Sequence, residues 1–338
     1  ATPVAAVMAT VIQPDPLPSE PPTSPSILWL VLPAVLLIAA AAAAIIFRKR
    51  SQTTNRMTRM TSIEPMEKTE PIDDEELAKT ESILESDNIQ IGTAQHIGTR
   101  EDQEDALCYS EYRDPTLLAG KGVLAAVADG VGGMSNGQLA STTAARGMLS
   151  GFARQDPAEE PSLRLLKLVA GAHRDVLTLN QTQSEPCGST LVAALIVGKM
   201  LYFASVGDSR ILLYRAGGLL QLNREHVLGA EVDVQVGLGQ RSPEELSERR
   251  RKAITGFLGK DGLKLVDRNV HPIPLCPGDR VLLLSDGVFG TLSEAEIISA
   301  QRLDPMTAAN EIVQRVESHQ RIHQDNATVV IVAYNGGK

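Results

Sequence analysis

Cysteine is scarce. Three occur in 338 residues, at Cys108, Cys187 and Cys276. They are far apart and odd in number, which argues against a disulfide framework, and they lack metal-ligand spacing. They read as reduced thiols of a cytosolic domain. Aromatic residues make up only 3% of the chain, with a single Trp. Lys and Arg number 32 against 41 Asp and Glu, a net charge of −9. No basic stripe with interleaved aromatics is present, which excludes bulk nucleic-acid binding. Apolar residues are abundant. A hydrophobic fraction of 43% supports one large domain or two small ones.

Residues 1–26 are rich in Pro, Ala, Ser and Thr, and "PDPLPSEPPTSPS" predicts a disordered extracytoplasmic segment. Next comes "ILWLVLPAVLLIAAAAAAIIF" at 27–47, which carries no charge. At about 1.5 Å per residue it is long enough to cross a hydrocarbon core of about 30 Å. Arg48, Lys49 and Arg50 follow it, with no Lys or Arg before them. The positive-inside rule then predicts a single-pass membrane protein with its N-terminus outside and its C-terminal part cytoplasmic. Residues 48–90 read as a polar juxtamembrane linker that starts basic and turns acidic.

From residue 91 short apolar runs alternate with helical patterns. Strands are expected at 122–129, 189–198, 200–208, 210–217, 280–287 and 326–334, and helices at 138–153, 162–181 and 305–320. The turns at Gly198-Lys199 and at 206–209 both read as hairpins. Adjacent hairpins predict an α+β layered domain with antiparallel sheets.

Acids recur at the rims of these strands. Asp129 ends "LAAVAD", Asp208 ends "YFASVGD", Asp286 ends "VLLLSD" and Asp325 precedes "NATVVIVAY". Glu104 and Asp105 lie in "GTREDQEDA". One such acid is an ordinary turn former. Several gathered at one edge repel and raise one another's pKa unless cations sit among them. Mg²⁺ and Mn²⁺ take oxygen ligands of this kind. Gly130 after Asp129 lets a backbone carbonyl approach an ion closely.

The stretches "GTREDQEDA", "VADGVGGM", "CGSTLVAALI", "SVGDSRILLYR", "AITGFLG", "LLLSDGVFG" and "DNATVVIVAY" stand in the order seen in metal-dependent protein phosphatases of type 2C. Residues 91–335 resemble the compact bacterial form of that family. The resemblance implies a four-layer α-β-β-α sandwich of two antiparallel sheets with helices outside, filling a catalytic domain at 91–338. It implies Mn²⁺ or Mg²⁺ as cofactor, two ions and a third weaker one. Asp129 matches the bridging ligand, Gly130 a backbone-oxygen ligand, and Asp286 and Asp325 further ligands of the first ion. Glu104 matches the acid facing the second, Asp105 holds waters beside it, and Asp208 matches the third-ion ligand. Arg100 matches the arginine that grips the substrate phosphate. The implied reaction is hydrolysis of phosphoserine and phosphothreonine on proteins by a metal-activated water. Substrates of a Ser/Thr kinase would be its partners. Where other members carry histidines, this chain has Val131 and Met134, so the resemblance supplies no histidine general acid. His226 is the nearest alternative and reads as structural. Residues 227–252 match the variable flap, and "SERRRK" within it reads as a solvated face or as a contact for an acidic substrate. A pseudophosphatase serving as a phospho-sensing scaffold is the rival reading. The presence of every expected carboxylate favours the enzyme.

Overall fold

The computed structural model describes residues 88–131, 136–242 and 246–336. The segment at 1–26, the apolar run at 27–47 and nearly all of the linker at 48–90 lie outside the described residues. Among the described residues no helix is long and apolar enough to cross a membrane.

Two antiparallel sheets form the centre. One holds β1 (Ile89–His96), β11 (Ala327–Tyr334), β10 (Asp279–Leu284), β6 (Arg210–Arg215) and β7 (Gly218–Gln221), in that order. The other runs β2 (Asp105–Tyr109), β3 (Val123–Asp129), β4 (Leu191–Val197), β5 (Met200–Val206) and β8 (Asp267–Arg268), with β9 (Ile273–Pro274) also on β5. The long helices are α2 (Gly137–Arg154), α3 (Pro161–Asn180) and α8 (Pro305–Ser318). Shorter ones are α1 (Pro115–Lys121), α4 (Leu228–Gly237), α5 (Glu248–Arg251), α6 (Asp286–Phe289) and α7 (Glu294–Ala300).

Period-2 geometry explains the layering. On β3, Val123, Ala125 and Val127 face the other sheet, while Leu124, Ala126 and Ala128 face helices. Strands buried on both faces read as continuous apolar runs, and the polar residues move to their ends. The central layer joins these residues to Val281, Leu283, Val330 and Val332. Met148, Phe152, Leu165 and Val169 of α2 and α3 cover one outer face. Ile312, Val313 and Val316 of α8 cover the other. Caps fix where helices start. Asp304 accepts from the Thr307 N–H with Pro305 at the first turn, and Ser293 and Glu296 close a capping box on α7. The expected four-layer α-β-β-α sandwich is the observed fold.

Two local expectations change. The turn at Gly198-Lys199 is a hairpin, with Val197 opposite Met200. The turn at 206–209 is not. β5 stays in the second sheet, whereas β6 pairs β10 and β7 in the first. Residues 207–209 therefore carry the chain from one sheet to the other. Gly207 makes that corner at φ +105, where a Cβ would also meet Thr190 at 2.6 Å. In addition, β10 ends at Leu284, so Asp286 begins the short helix α6 rather than ending a strand.

Candidate metal centre

One end of the sandwich collects the acids. β2 starts and β3 ends there, with Asp105 directly opposite Asp129. Such cross-strand neighbours have Cβ atoms about 5 Å apart. β1 ends at the same rim, with His96 opposite Ala327, and β10 ends beside it, with Leu284 opposite Val329. Asp325 therefore sits just before β11, and Asp286 just after β10. The sheet-crossing corner adds Asp208, and the loop after β1 adds Arg100 and Glu104.

The Asp105 side chain is buried. Its Oδ2 accepts from Ser285 Oγ and Thr328 Oγ1, each at 2.7 Å. Its Oδ1 is buried without a hydrogen-bond donor. Burial pushes this carboxyl up to about 6, with Asp286 and Asp325 adding to the rise against the two hydroxyls. Burial, then the charges of Asp105, Asp286, Asp208 and Asp325, push Asp129 well above the usual carboxylate range. Burial and Asp286 take Asp208 to about 7. Burial and Asp325 take Asp286 to about 6. Glu104 is raised too, because burial outweighs the pull of Arg100.

Hydroxyls and one amide hold the rim together. Thr190 Oγ1 accepts from the Asp129 N–H at 3.1 Å and meets Ser209 Oγ at 2.8 Å, while Ser189 Oγ donates to the Asp129 carbonyl at 3.0 Å. Asn326 clamps the loop after β1. Its Nδ2 donates to Ile97 O at 2.7 Å and Asp102 O at 3.1 Å, and its Oδ1 accepts from the Glu104 N–H at 2.7 Å. Gly130 and Gly137 pass so closely that a Cβ on Gly130 would lie 2.5 Å from the Gly137 carbonyl carbon. A Cβ on Gly137 would lie 2.6 Å from Glu104 Oε1. The site thus needs bare backbone at this crossing.

Arg100 turns inward. Its Nη2 donates to Asp325 Oδ2 at 2.6 Å, and Nη1 lies 3.9 Å from Glu104 Oε2. Burial works against its charge, but Asp325, Glu104 and Asp286 together raise its pKa. It is therefore paired with two of the acids expected to hold metal.

The donor set suits a hard cation. All the side-chain donors are carboxylate oxygens, burial and their mutual charge raise the pKa of several, and Asp105 Oδ1 has no partner. An orphaned buried acceptor costs about 1–3 kcal/mol unless something positive meets it. Among the described residues no three His, Cys, Asp or Glu side chains close on a single point at ligand distance. Asp325 is paired with Arg100 instead. The acids are gathered at the rim without being drawn into one shell.

The protein phosphatase 2C family model matches residues 94–324. The chain belongs to that family. The serine/threonine phosphatase Stp of Listeria innocua is 29% identical over 216 residues, 62% of this chain and 83% of its own. The Ser/Thr phosphatase MsPP of Mycobacterium smegmatis, solved with cacodylate, is 29% identical, with a TM-score of 0.58 over 72% of this chain and 98% of that one. The catalytic domain of the phosphatase PstP, solved with two manganese ions, shares the fold at 24% identity and a TM-score of 0.55, over 72% of this chain and 97% of that one.

Within this 2C-type frame the remaining predicted residues fall as follows. Gly130 leaves β3 with its N–H bonded to Glu104 O at 3.1 Å, which ties the two ends of the site. His226 is buried, and its Nδ1 accepts from the Gly207 N–H at 3.2 Å. Burial lowers its pKa. It braces the corner that carries Asp208 and is not part of the rim. Val131 is partly buried, and Met134 lies outside the described residues. The flap contains α4 and α5, and the Leu228 N–H to Ala253 O bond of 2.9 Å closes its base. Sequence reading missed Asn326, Thr190, Ser189 and Ser285. Each stands inside a motif quoted above, and the signal was a polar residue set in an otherwise apolar strand end.

Proposed function

We infer that the chain hydrolyses phosphoserine and phosphothreonine esters on proteins, using Mn²⁺ or Mg²⁺ held by Asp129, the Gly130 carbonyl, Asp286, Asp325, Glu104 and Asp105, with Asp208 serving a third ion. The observation that carries this is the rim itself. Six carboxyl groups share one end of a 2C-type sandwich; Asp105 and Asp286 are pushed up to about 6, Asp208 to about 7, and Asp129 well above the usual carboxylate range. A protein does not gather repelling acids without a cationic partner.

When bound, divalent ions supply a water of lowered pKa and neutralise phosphate charge. The chain's own residues do the rest. Ser285 and Thr328 fix Asp105 so that only Oδ1 remains free. Asn326 sets the loop bearing Arg100 and Glu104. The Arg100 guanidinium offers a planar fork to a phosphate, and its bond to Asp325 is exchanged when substrate enters. Water oxygen bonds to phosphorus, the ester P–O bond breaks, and the proton that the attacking water loses balances the one the departing Ser or Thr oxygen gains. Among the described residues His96 and His226 are engaged elsewhere: His96 Nδ1 accepts from the Gly98 N–H at 2.9 Å and His226 Nδ1 from the Gly207 N–H at 3.2 Å.

Placement is the second part of the reading. The uncharged run at 27–47 followed by Arg48, Lys49 and Arg50 supports a single span with the phosphatase domain on the cytoplasmic side. Its substrates there are the products of a Ser/Thr kinase. The direct test is hydrolysis of a phosphothreonine peptide by the full chain with Mn²⁺ and with excess EDTA. Turnover that survives EDTA, or no turnover with Mn²⁺, defeats the metal-phosphatase reading. A C-terminal reporter found outside the cell defeats the topology.

A further inference from the structure

A cleft of about 770 Å³ joins the metal rim to the flap, and Asp208 and Asp286 stand in its wall. Four cations line it: Arg210, Arg224, Arg251 and Lys252. Two are already committed. Arg210 donates to Glu225 at 2.6 Å and stacks 3.9 Å above the Phe289 ring, and Arg251 donates to Asp233 at 2.5 Å. Glu248, the remaining acid of the wall, acts on Arg251. Lys252 and Arg224 have no hydrogen bond or ion pair to either side chain among the described residues, and both are exposed.

Their positions are nonetheless fixed. Lys252 follows α5 next to the bond closing the flap base and shares the cleft wall with Asp286. The Arg224 N–H is held by Asp267 Oδ2 at 2.7 Å. Two free cations on anchored backbone thus stand beside the place where a phosphate would be cleaved. A cleft that only had to admit phosphate would need none there, since Arg100 serves that purpose.

We propose that Lys252 and Arg224 form a subsite for acidic side chains flanking the phosphorylated residue, so that the chain selects phosphoproteins carrying Asp or Glu beside the phosphoserine or phosphothreonine. This rests on the phosphatase reading above. It gives "SERRRK" a divided role: Arg251 holds the flap to itself through Asp233, and Lys252 meets the substrate.

The test uses the full chain with Mn²⁺ and three phosphothreonine peptides that share one core and differ in flanks of Asp, Ala or Lys. Exposed charge pairs each change an equilibrium by a few-fold, so the Asp peptide should exceed the Ala peptide about ten-fold in kcat/KM at low salt. At 1 M salt, where screening acts within about 3 Å, the ratio should approach one. In the double variant Lys252→Glu, Arg224→Glu the order should reverse in favour of the Lys peptide. Each ratio is taken within one preparation, so a partly unfolded variant does not distort it. Equal kcat/KM for Asp and Ala flanks, or an Asp preference kept by the double variant, overturns the subsite alone. No hydrolysis of any peptide overturns the phosphatase reading and this one with it.

Discussion

Asp286 and Arg100 separate the ways a charged side chain can sit at this rim. If Asp286 only began a turn, Asn would serve as well, because Asn is favoured in the same conformations. As a metal ligand it cannot be replaced so cheaply. Asp286→Asn should lower turnover about 10³-fold, roughly 4 kcal/mol of barrier. Its melting temperature in EDTA should hold or rise, since repulsion with Asp325 and Asp129 is relieved. Full activity together with a full Mn²⁺ response in this variant would sink the assignment. Arg100 is a different case. It is already paired with Asp325 at 2.6 Å, so removing it frees an acid as well as losing the proposed phosphate contact. Arg100→Ala should lose about 30- to 150-fold in kcat/KM, equivalent to about 2–3 kcal/mol, while Mn²⁺ affinity holds or tightens. Lys at this place should recover only part, lacking the fork. Unchanged kinetics would remove Arg100 from substrate binding.

Single side chains also set whole elements. The loop from Ile97 to Glu104 is fastened by three hydrogen bonds from Asn326, in front of β11. Asn326→Ala should cost about 2–3 kcal/mol of stability, from buried backbone groups left unpaired, and should lower turnover by displacing Glu104 and Arg100. Asn326→Asp keeps the acceptor for Glu104 N–H but loses both donors and adds a charge, so it should fare no better. A variant with wild-type melting and turnover would show that the loop holds itself. The acids at strand ends were legible in the sequence because each interrupts an apolar run. Their supports were not, because Ser285 reaches Asp105 across 180 residues and Thr328 across 223. No local pattern carries such a pairing. The corner at 207–209 was misread for a related reason. β5 and β6 are both apolar on most positions, so periodicity could not say that they belong to different sheets. The helices read well, since α3 and α8 keep one apolar face and start at Pro next to an acidic cap.

At the scale of the whole molecule, the acid cluster makes stability depend on pH and metal together. Asp105 and Asp286 titrate near 6 and Asp208 near 7 in the folded chain, whereas an unfolded Asp titrates near 3.9. The folded state therefore holds more protons than the unfolded state between about pH 4 and 7. Stability must fall across that window as pH rises, by on the order of 3 kcal/mol for one such group. The exposed acid Glu296 works the other way. Hydrogen bonds from His319 and Ser293 hold it at about 2, so its contribution is present above the ordinary Glu range and lost as pH falls toward 2. In EDTA, melting temperature should therefore peak near pH 4–5 and decline toward pH 7.5. If Mn²⁺ binds the ionised rim, as proposed, it should add little at pH 4.5. At pH 7.5 and 100 times its dissociation constant it should restore about 2.7 kcal/mol. Thermal unfolding of the full chain across pH 4–8, with EDTA and with Mn²⁺, reads both curves. A metal-free chain that grows steadily more stable from pH 5 to 7.5, or an Mn²⁺ gain equal at both ends, would mean that the carboxylates at the rim are not the groups that meet the metal.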